Sequence, residues 1–503
     1  MRPDPDAARA RRRAALPVIL LSLASGLAAA QAPAGLFPDR SPLPLAYRQS
    51  LYAGFVEDRV GTAVSLSGDM LAVGVPGADP GTTTDGGRVD LYRWFDEIGG
   101  WSLITSFTTQ DFGIAPVTNG RFGAAVSLSG DWLLAGCPGC DPADEAGAIL
   151  LRVPDVIEGT GEARGALQWR RVTPPGLATF NDPVEGTGSA VALSVVRAGS
   201  LVQPTTSIVF AVGSPKATFG TFELGAVAMG RYDPESQDVV WESGPWYGST
   251  DFGKFGKSLA LSAATWFDFG LFFNQRNLVI GEPAWVPQGE SGVQGRATVW
   301  QRDGNTWTSL QALSADQPGF LDALGMAVAV ERVSNEALGT VALGAPGRSV
   351  DGTPGGSVLL FRQQVVGGPW LFDQELQHPD AASADRFGGA LALSGGRLLV
   401  GADGRAVDLS PNAGAAYVYR YEFDLPVADF RWKLKQSLIE PRESGGDAAF
   451  GSSVAFGPRA AAIGAPTSDA AGLANAGRVA TYLCDHIFDD GVDGGAAEGC
   501  GGP

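Results

Sequence analysis

The chain has 503 residues, room for several small domains or one large closed β fold, and its 45% hydrophobic fraction can fill a core. Seventy glycines and 33 prolines, scattered through apolar segments, exclude a disordered chain and favour turn-rich β structure. A formal charge of −18 repels phosphate backbones, which argues against nucleic acid as a partner and for a surface kept soluble by its acidity.

At the N-terminus, Arg9, Arg11, Arg12 and Arg13 precede an uncharged apolar run from Ala14 to Ala30, the pattern of an export signal. The run is too short and too alanine-rich for a membrane span. Small residues at Ala28 and Ala30, or at Ala30 and Ala32, offer cleavage sites, so the expected division is a signal peptide over residues 1–32 and a linker over 33–44. Loss of residues 1–32 removes five arginines and two aspartates and takes the charge from −18 to −21. No later segment holds about twenty uninterrupted apolar residues. The mature chain is therefore expected as a soluble monomer without a membrane span, in the periplasm, at the cell surface or in the medium.

From residue 45 to 484 one pattern recurs. VGTAVSLSGDMLAVGVP from Val60, FGAAVSLSGDWLLAGCP from Phe122, FGGALALSGGRLLVGAD from Phe387 and FGSSVAFGPRAAAIGAP from Phe450 align without gaps. Three further copies begin at Thr187, Phe255 and Leu324. Their leading glycines are Gly61, Gly123, Gly188, Gly256, Gly325, Gly388 and Gly451, in steps of 62 to 69 residues. A second glycine follows at Gly74, Gly136, Gly213, Gly281, Gly344, Gly401 and Gly464, 13 residues on in four copies and 25, 25 and 19 in the others. The insertions therefore lie inside the hairpin between the two glycines, in copies three to five.

Each copy alternates apolar with small or polar residues, as Val64 and Leu66 do with Ala63, Ser65 and Ser67, the period of a strand. Ser-Gly-Asp at Ser67 and Ser129 supplies the turn to a second strand. A third follows each Gly-x-Pro, from GRVDLYRW at Gly87 to GRVATYLC at Gly477, and a fourth is marked by Trp101, Trp169, Trp241, Trp307, Trp370 and Trp432. Only six copies have that fourth strand after them. The seventh is supplied from the front, where LAYRQSL from Leu45 matches WKLKQSL from Trp432. The expected fold is an all-β, seven-bladed β-propeller of four-stranded blades, closed by the N-terminal strand joining the last blade. A long β-helix also accommodates repeats, but it gives strand exchange between the chain ends no purpose.

The Phe-Gly pairs at Phe122, Phe255, Phe387 and Phe450, with Gly-Ala-Pro at Gly344 and Gly464, resemble the repeats of bacterial FG-GAP proteins, similar in fold to the propeller of integrin alpha subunits. The resemblance implies a platform for protein or matrix recognition through loops of one face. It also implies Ca²⁺ in an Asp-x-Asp-x-Asp-Gly loop, but that loop is here a Ser-Gly-Asp turn or an insertion, and Asp69 and Asp131 stand without clustered carboxylates. No cofactor is expected, and no metal site can be assigned. Asp403 takes the place of the proline in copy six.

Catalytic chemistry finds little support. His378 and His486 are the only histidines, neither in a nucleophile or metal context, and both read as surface residues. Cys137 and Cys140 have redox-motif spacing but no helix to follow, so an exported chain favours a local disulfide over redox chemistry. Cys484 and Cys500 would then pair, tying down the acidic Gly-rich tail of residues 485–503, where Asp489, Asp490 and Asp493 form either a cation site or a solvated end. Asp79, Asp141, Asp351 and Asp469 recur at similar blade positions, which suits maintenance of the fold better than a unique active site. The insertion in copy four carries Trp266, Phe267, Phe269, Phe272 and Phe273, aromatics suited to stacking on a sugar, anchoring a partner or covering the next blade. The functional expectation is an exported, non-catalytic binding or scaffold protein that recognises a protein or glycan through its loops. The alternative is a polysaccharide-acting hydrolase or lyase with carboxylates at the propeller axis.

Overall fold

The computed structural model describes residues 45–484 except 53, 141–146, 154, 157–162, 165–166, 176, 178–185, 201–203, 269–270, 304–305, 333–338, 351, 366–367, 409, 425 and 442–446. It is a β-propeller of seven four-stranded antiparallel blades. Blade 1 runs through Ala63–Ser67, Met70–Val75, Arg88–Phe95 and Gly100–Phe107, and blade 2 through Val126–Ser129, Trp132–Gly136, Ala148–Arg152 and Trp169–Val172. Blade 3 uses Ala190–Ser200, Pro204–Ser214, Ala226–Tyr232 and Val239–Tyr247, and blade 4 uses Ser258–Asp268, Leu271–Glu282, Arg296–Asp303 and Thr306–Leu313. Blade 5 comprises Ala327–Arg332, Gly339–Ala345, Ser357–Gln363 and Trp370–Leu376; blade 6, Ala390–Ser394, Arg397–Ala402, Ala415–Asp424 and Asp429–Ile439. Blade 7 takes Ser453–Phe456, Ala460–Ala465 and Arg478–Cys484, with Leu45–Leu51 as its outer strand.

The first strand of each blade touches the first strands of both neighbours, so the seven form the inner ring. Such strands have an open edge whose N–H groups need partners. The repeated serines supply them. Ser65 accepts from the Leu128 N–H at 2.9 Å and Ser67 from Gly130 at 2.8 Å; one junction on, Ser127 accepts from Leu193 at 3.0 Å and Ser129 from Val195 at 3.1 Å. At the position of Ser67, blade 5 has Glu331, whose carboxylate accepts from Gly395 and Gly396 of blade 6.

The glycines set how closely blades approach. The leading glycines all hold φ between +86° and +93°, a left-handed backbone that side chains rarely adopt. Each second glycine faces the leading glycine of the next blade: a Cβ on Gly74 would overlap the Gly123 carbonyl oxygen, and one on Gly464 would overlap that of Gly61. The last blade thus meets the first as every other pair meets. A bridge between Val60 and Gly477 repeats those between Phe122 and Gly87 or Phe387 and Gly356.

The core is divided in the same way, with one hydrophobic cluster at each of the seven junctions. The cluster between blades 7 and 1 joins Leu51 of the N-terminal strand to Val73, Trp101, Ala462 and Val479. That strand pairs antiparallel with Arg478–Cys484, from Leu45 opposite Cys484 to Leu51 opposite Val479. Burial of Leu45 and Leu51 contributes about 1.5 to 3 kcal/mol each.

Candidate functional site

An antiparallel blade sends its first and third turns to one end of the propeller and its second turn and outgoing loop to the other. At the second end the loops are held by buried ion pairs. Arg88 pairs with Asp90 at 2.7 Å, Arg296 with Glu282 at 2.7 Å, Arg348 with Asp322 at 2.6 Å and Arg405 with Asp385 at 3.0 Å; Arg478 binds Glu440. Asp58, Asp322 and Asp385 each also accept a backbone N–H three residues before them, so the carboxylate fixes its own turn. Asp79 and Asp469 likewise accept from the amides of Asp85 and Asn475. Asp403 pairs with Arg386 at 3.1 Å, and Gly404 still donates to the Asp385 carbonyl as Gly77 does to Asp58. The loop keeps the geometry of its counterparts despite the missing proline.

His378 belongs to this framework, not to the surface. It is 2% exposed, bonded through Nε2 to Asp385 at 2.9 Å and stacked on Tyr417 at 4.8 Å between centroids. Strand Ala415–Asp424 of the next blade brings Tyr417 over the imidazole, a contact that local sequence does not announce. Burial, and then the nearby Arg405 guanidinium, hold its pKa below the ordinary 6.5. The neutral ring donates to Asp385 through Nε2 and leaves Nδ1 facing Arg405, which suits a latch.

Between blades 3 and 5 this end also carries exposed aromatics. Phe219 (61% exposed) and Phe222 (55%) cap the second turn of blade 3, Phe252 (62%) lies in the loop leading into blade 4, and Phe320 (71%) in the loop leading into blade 5. The Phe252 N–H donates to the Glu223 carbonyl at 2.7 Å and the Glu223 N–H to Asp251 at 2.8 Å, which docks the Phe219–Phe222 turn against the next loop. The Leu321 N–H reaches the Val293 carbonyl at 2.7 Å in the same manner. Phe252 and Leu321 have φ of +58° and +65°, at a position that Glu57, Asn119 and Ala384 fill in other blades with the same left-handed backbone. Bulky side chains are costly there, and these two are exposed rather than packed.

At the first end, blades 3 and 4 depart from the rest. Their inner hairpins extend past the ring and pair edge to edge, Gly199 with Phe272 and Ser200 with Leu271. Below them, Glu242 of blade 3 lies among Arg231 (3.4 Å), Arg276 (3.7 Å) and Arg302 (3.0 Å) and accepts from Trp307 Nε1 at 3.0 Å. Trp246 and Trp300 stack beside this group at 4.1 Å.

The FG-GAP repeat family matches residues 370–419, from the outer strand of blade 5 to the third strand of blade 6. The other blades repeat the same register. The chain is a seven-bladed β-propeller that carries an FG-GAP repeat. No curated protein matches it. Among solved structures, the periplasmic gluconolactonase PpgL of Pseudomonas aeruginosa aligns at TM-score 0.41 with 16% identity over 75% of this chain and 85% of its own. Sqt1 of Saccharomyces cerevisiae gives 0.40 and 11% over 84% of each chain, and a putative 6-phosphogluconolactonase from Bacteroides uniformis gives 0.40 and 11% over 75% and 85%.

In this propeller Cys137 and Cys140 are joined as a disulfide, within the second turn of blade 2. Cys484 ends the third strand of blade 7, and Cys500 and the tail lie outside the described residues, as do Asp141, Asp351 and His486. Trp266 and Phe267 pair through their backbones with Phe273 and Phe272 in the blade 4 hairpin, while Phe269 lies outside the described residues. Asp69 and Asp131 are not solitary: Arg93 and Arg152 bind them at 2.7 and 2.6 Å. Among the described residues no three His, Cys, Asp or Glu side chains gather to hold a metal, and no helix is long and apolar enough to cross a membrane. The inner strands carry two acidic residues, Glu331, engaged with the blade 6 turn, and Asp268 near the blade 4 hairpin tip. Sequence reasoning missed Phe219, Phe222, Phe252 and Phe320. Their signal was a bulky residue four before the leading glycine in copy four, and its neighbours in the adjoining loops.

Proposed function

We propose that this FG-GAP propeller is an exported, non-catalytic recognition protein that binds a protein or glycan with the phenylalanine-bearing loops of blades 3 to 5. The observation that carries the reading is Phe252, a large aromatic held exposed on a left-handed backbone at a position that Glu57, Asn119, Leu321 and Ala384 fill in other blades. The repeat imposes this backbone in several blades, and residues held in such conformations cluster at ligand-binding sites. Phe219, Phe222 and Phe320 extend the same surface, and the buried ion pairs beneath it keep the loops preorganised, which lowers the entropic cost of binding. Exposed aromatics can stack on sugar faces or fill pockets of a protein partner. The apolar segment ahead of the propeller supports export.

The test compares the mature chain with F252N and with the combined F219S/F222S/F252N/F320S variant, on glycan arrays and by crosslinking to envelope extracts. A ligand retained by the parent and lost from the combined variant, with unchanged circular dichroism, is the expected result. Equal retention by both, or no retained ligand at all, would overturn the reading. F252N alone should fold at least as stably as the parent, because Asn tolerates the left-handed region, as Asn119 does at the equivalent position.

A further inference from the structure

We propose that the junction of blades 3 and 4 is a binding site for an oxyanion, a carboxylate, sulfate or phosphate group of a ligand, gripped by Arg231 and Arg276 with Arg302 and Glu242 framing it. The site is at the opposite end of the propeller from the phenylalanine loops and stands independently of them.

Three guanidinium groups share one carboxylate. Glu242 Oε1 draws them to between 3.0 and 3.7 Å, and Oε2 is already engaged by Trp307. Arg276 is the decisive member. Its side chain is 6% exposed, yet neither Nε nor Nη1 has a hydrogen-bond partner, and the Nε of Arg231 has none either. Unpartnered donors on a buried charge are costly. Arg276 also lies directly opposite Arg302 across the strand pair, a like-charge pairing that is unfavourable without a counterion. Burial, and next Arg302, lower the Arg276 pKa to about 10.

The repeat shows why this junction differs. Arg93, Arg152 and Arg231 occupy one register, opposite Met70, Trp132 and Val209. In blades 1 and 2 the arginine binds the aspartate of the Ser-Gly-Asp turn. In blade 3 that turn is replaced by the long hairpin, so Arg231 has no such aspartate and turns to Glu242. At 34% exposure Arg231 opens the group to solvent, while Arg276 forms its floor. Guanidinium forks match the planar oxygens of a carboxylate and the edges of sulfate or phosphate.

The experiment is titration calorimetry and thermal denaturation of the mature chain with sulfate, phosphate and glucuronate, against chloride at constant ionic strength. The expected result is saturable binding and stabilisation by at least one oxyanion, weakened by about tenfold or more in R231Q and R276M. R93M, altered at the same register of blade 1, should respond as the parent does. R231Q changes a half-exposed residue, so it reports even if R276M does not fold. Preference for glucuronate would mark a uronic acid ligand, and preference for sulfate or phosphate an esterified one. A response unchanged in R231Q, or none beyond that to chloride, overturns the proposal.

Discussion

Gln436 and Leu45 are joined by two hydrogen bonds across 391 residues of sequence, the Leu45 N–H donating to Oε1 at 2.7 Å and Nε2 donating to the Leu45 carbonyl at 2.9 Å. The same clasp binds Gln49 to Trp101, Gln311 to Trp370 and Gln374 to Trp432, each from one outer strand to the start of the next. Where the chain ends meet, the junction is thus built as an ordinary one. Q436A and Q374A should then destabilise the protein equally, by about 1 to 3 kcal/mol in urea denaturation, from backbone groups left unpaired. A negligible loss in Q436A beside a normal one in Q374A would mean that the N-terminal strand is loosely held.

The place of the N-terminal strand was legible because LAYRQSL and WKLKQSL put Gln49 and Gln436 at one position of a repeated pattern, and a repeat converts alignment into geometry. The two sets of repeated glycines were legible for the same reason, and their pairing across blades was not. Features that break the repeat were not. His378 precedes a proline with no periodic context, and its burial depends on Tyr417 from the following blade. The arginine group was hidden further, because bulges between Val227 and Met229 and between Met229 and Gly230 shift the register that would place Glu242. Phe252 and Phe320 sit in loops, where alternation carries no information.

Gly464 and Gly68 separate two reasons for glycine. At Gly464 a Cβ would overlap the Gly61 carbonyl oxygen, backbone that cannot yield without parting blades 7 and 1. G464A should cost about 3 kcal/mol or more. Gly68 has φ +60° but open space around it, so G68A should cost only the left-handed backbone penalty, roughly 1 to 2 kcal/mol. Thermal or urea denaturation of the pair gives the order, and the reverse order would refute the close-approach role.

Ser65 and Ser67 present a similar contrast. Ser65 satisfies the amide of buried Leu128, whereas Ser67 satisfies that of exposed Gly130, where water can substitute. S65A should lose about 1 to 2 kcal/mol and S67A about 0.5 kcal/mol or less. Equal losses would show that the inner edge depends on something other than the serine hydroxyls.

His378 gives the fold a pH dependence whose sign follows from its lowered pKa. Above the ordinary 6.5, folded and unfolded chains both hold it neutral, and the latch to Asp385 contributes in full. As pH falls below 6.5 the unfolded chain takes up a proton that the folded chain refuses, because burial and Arg405 disfavour the cation. The contribution of His378 to stability therefore declines as pH falls through 6.5 until the folded-state value is passed, and then levels. H378Q, which can still donate to Asp385 but does not titrate, should be less stable at pH 7.5 by about 1 to 3 kcal/mol, having lost its stacking on Tyr417. Its deficit should shrink as pH is lowered to 5.5, since the parent alone loses stability through this histidine. Urea denaturation of both proteins across that range measures the difference, and a deficit that stays constant or grows on acidification would show that His378 is charged in the folded state.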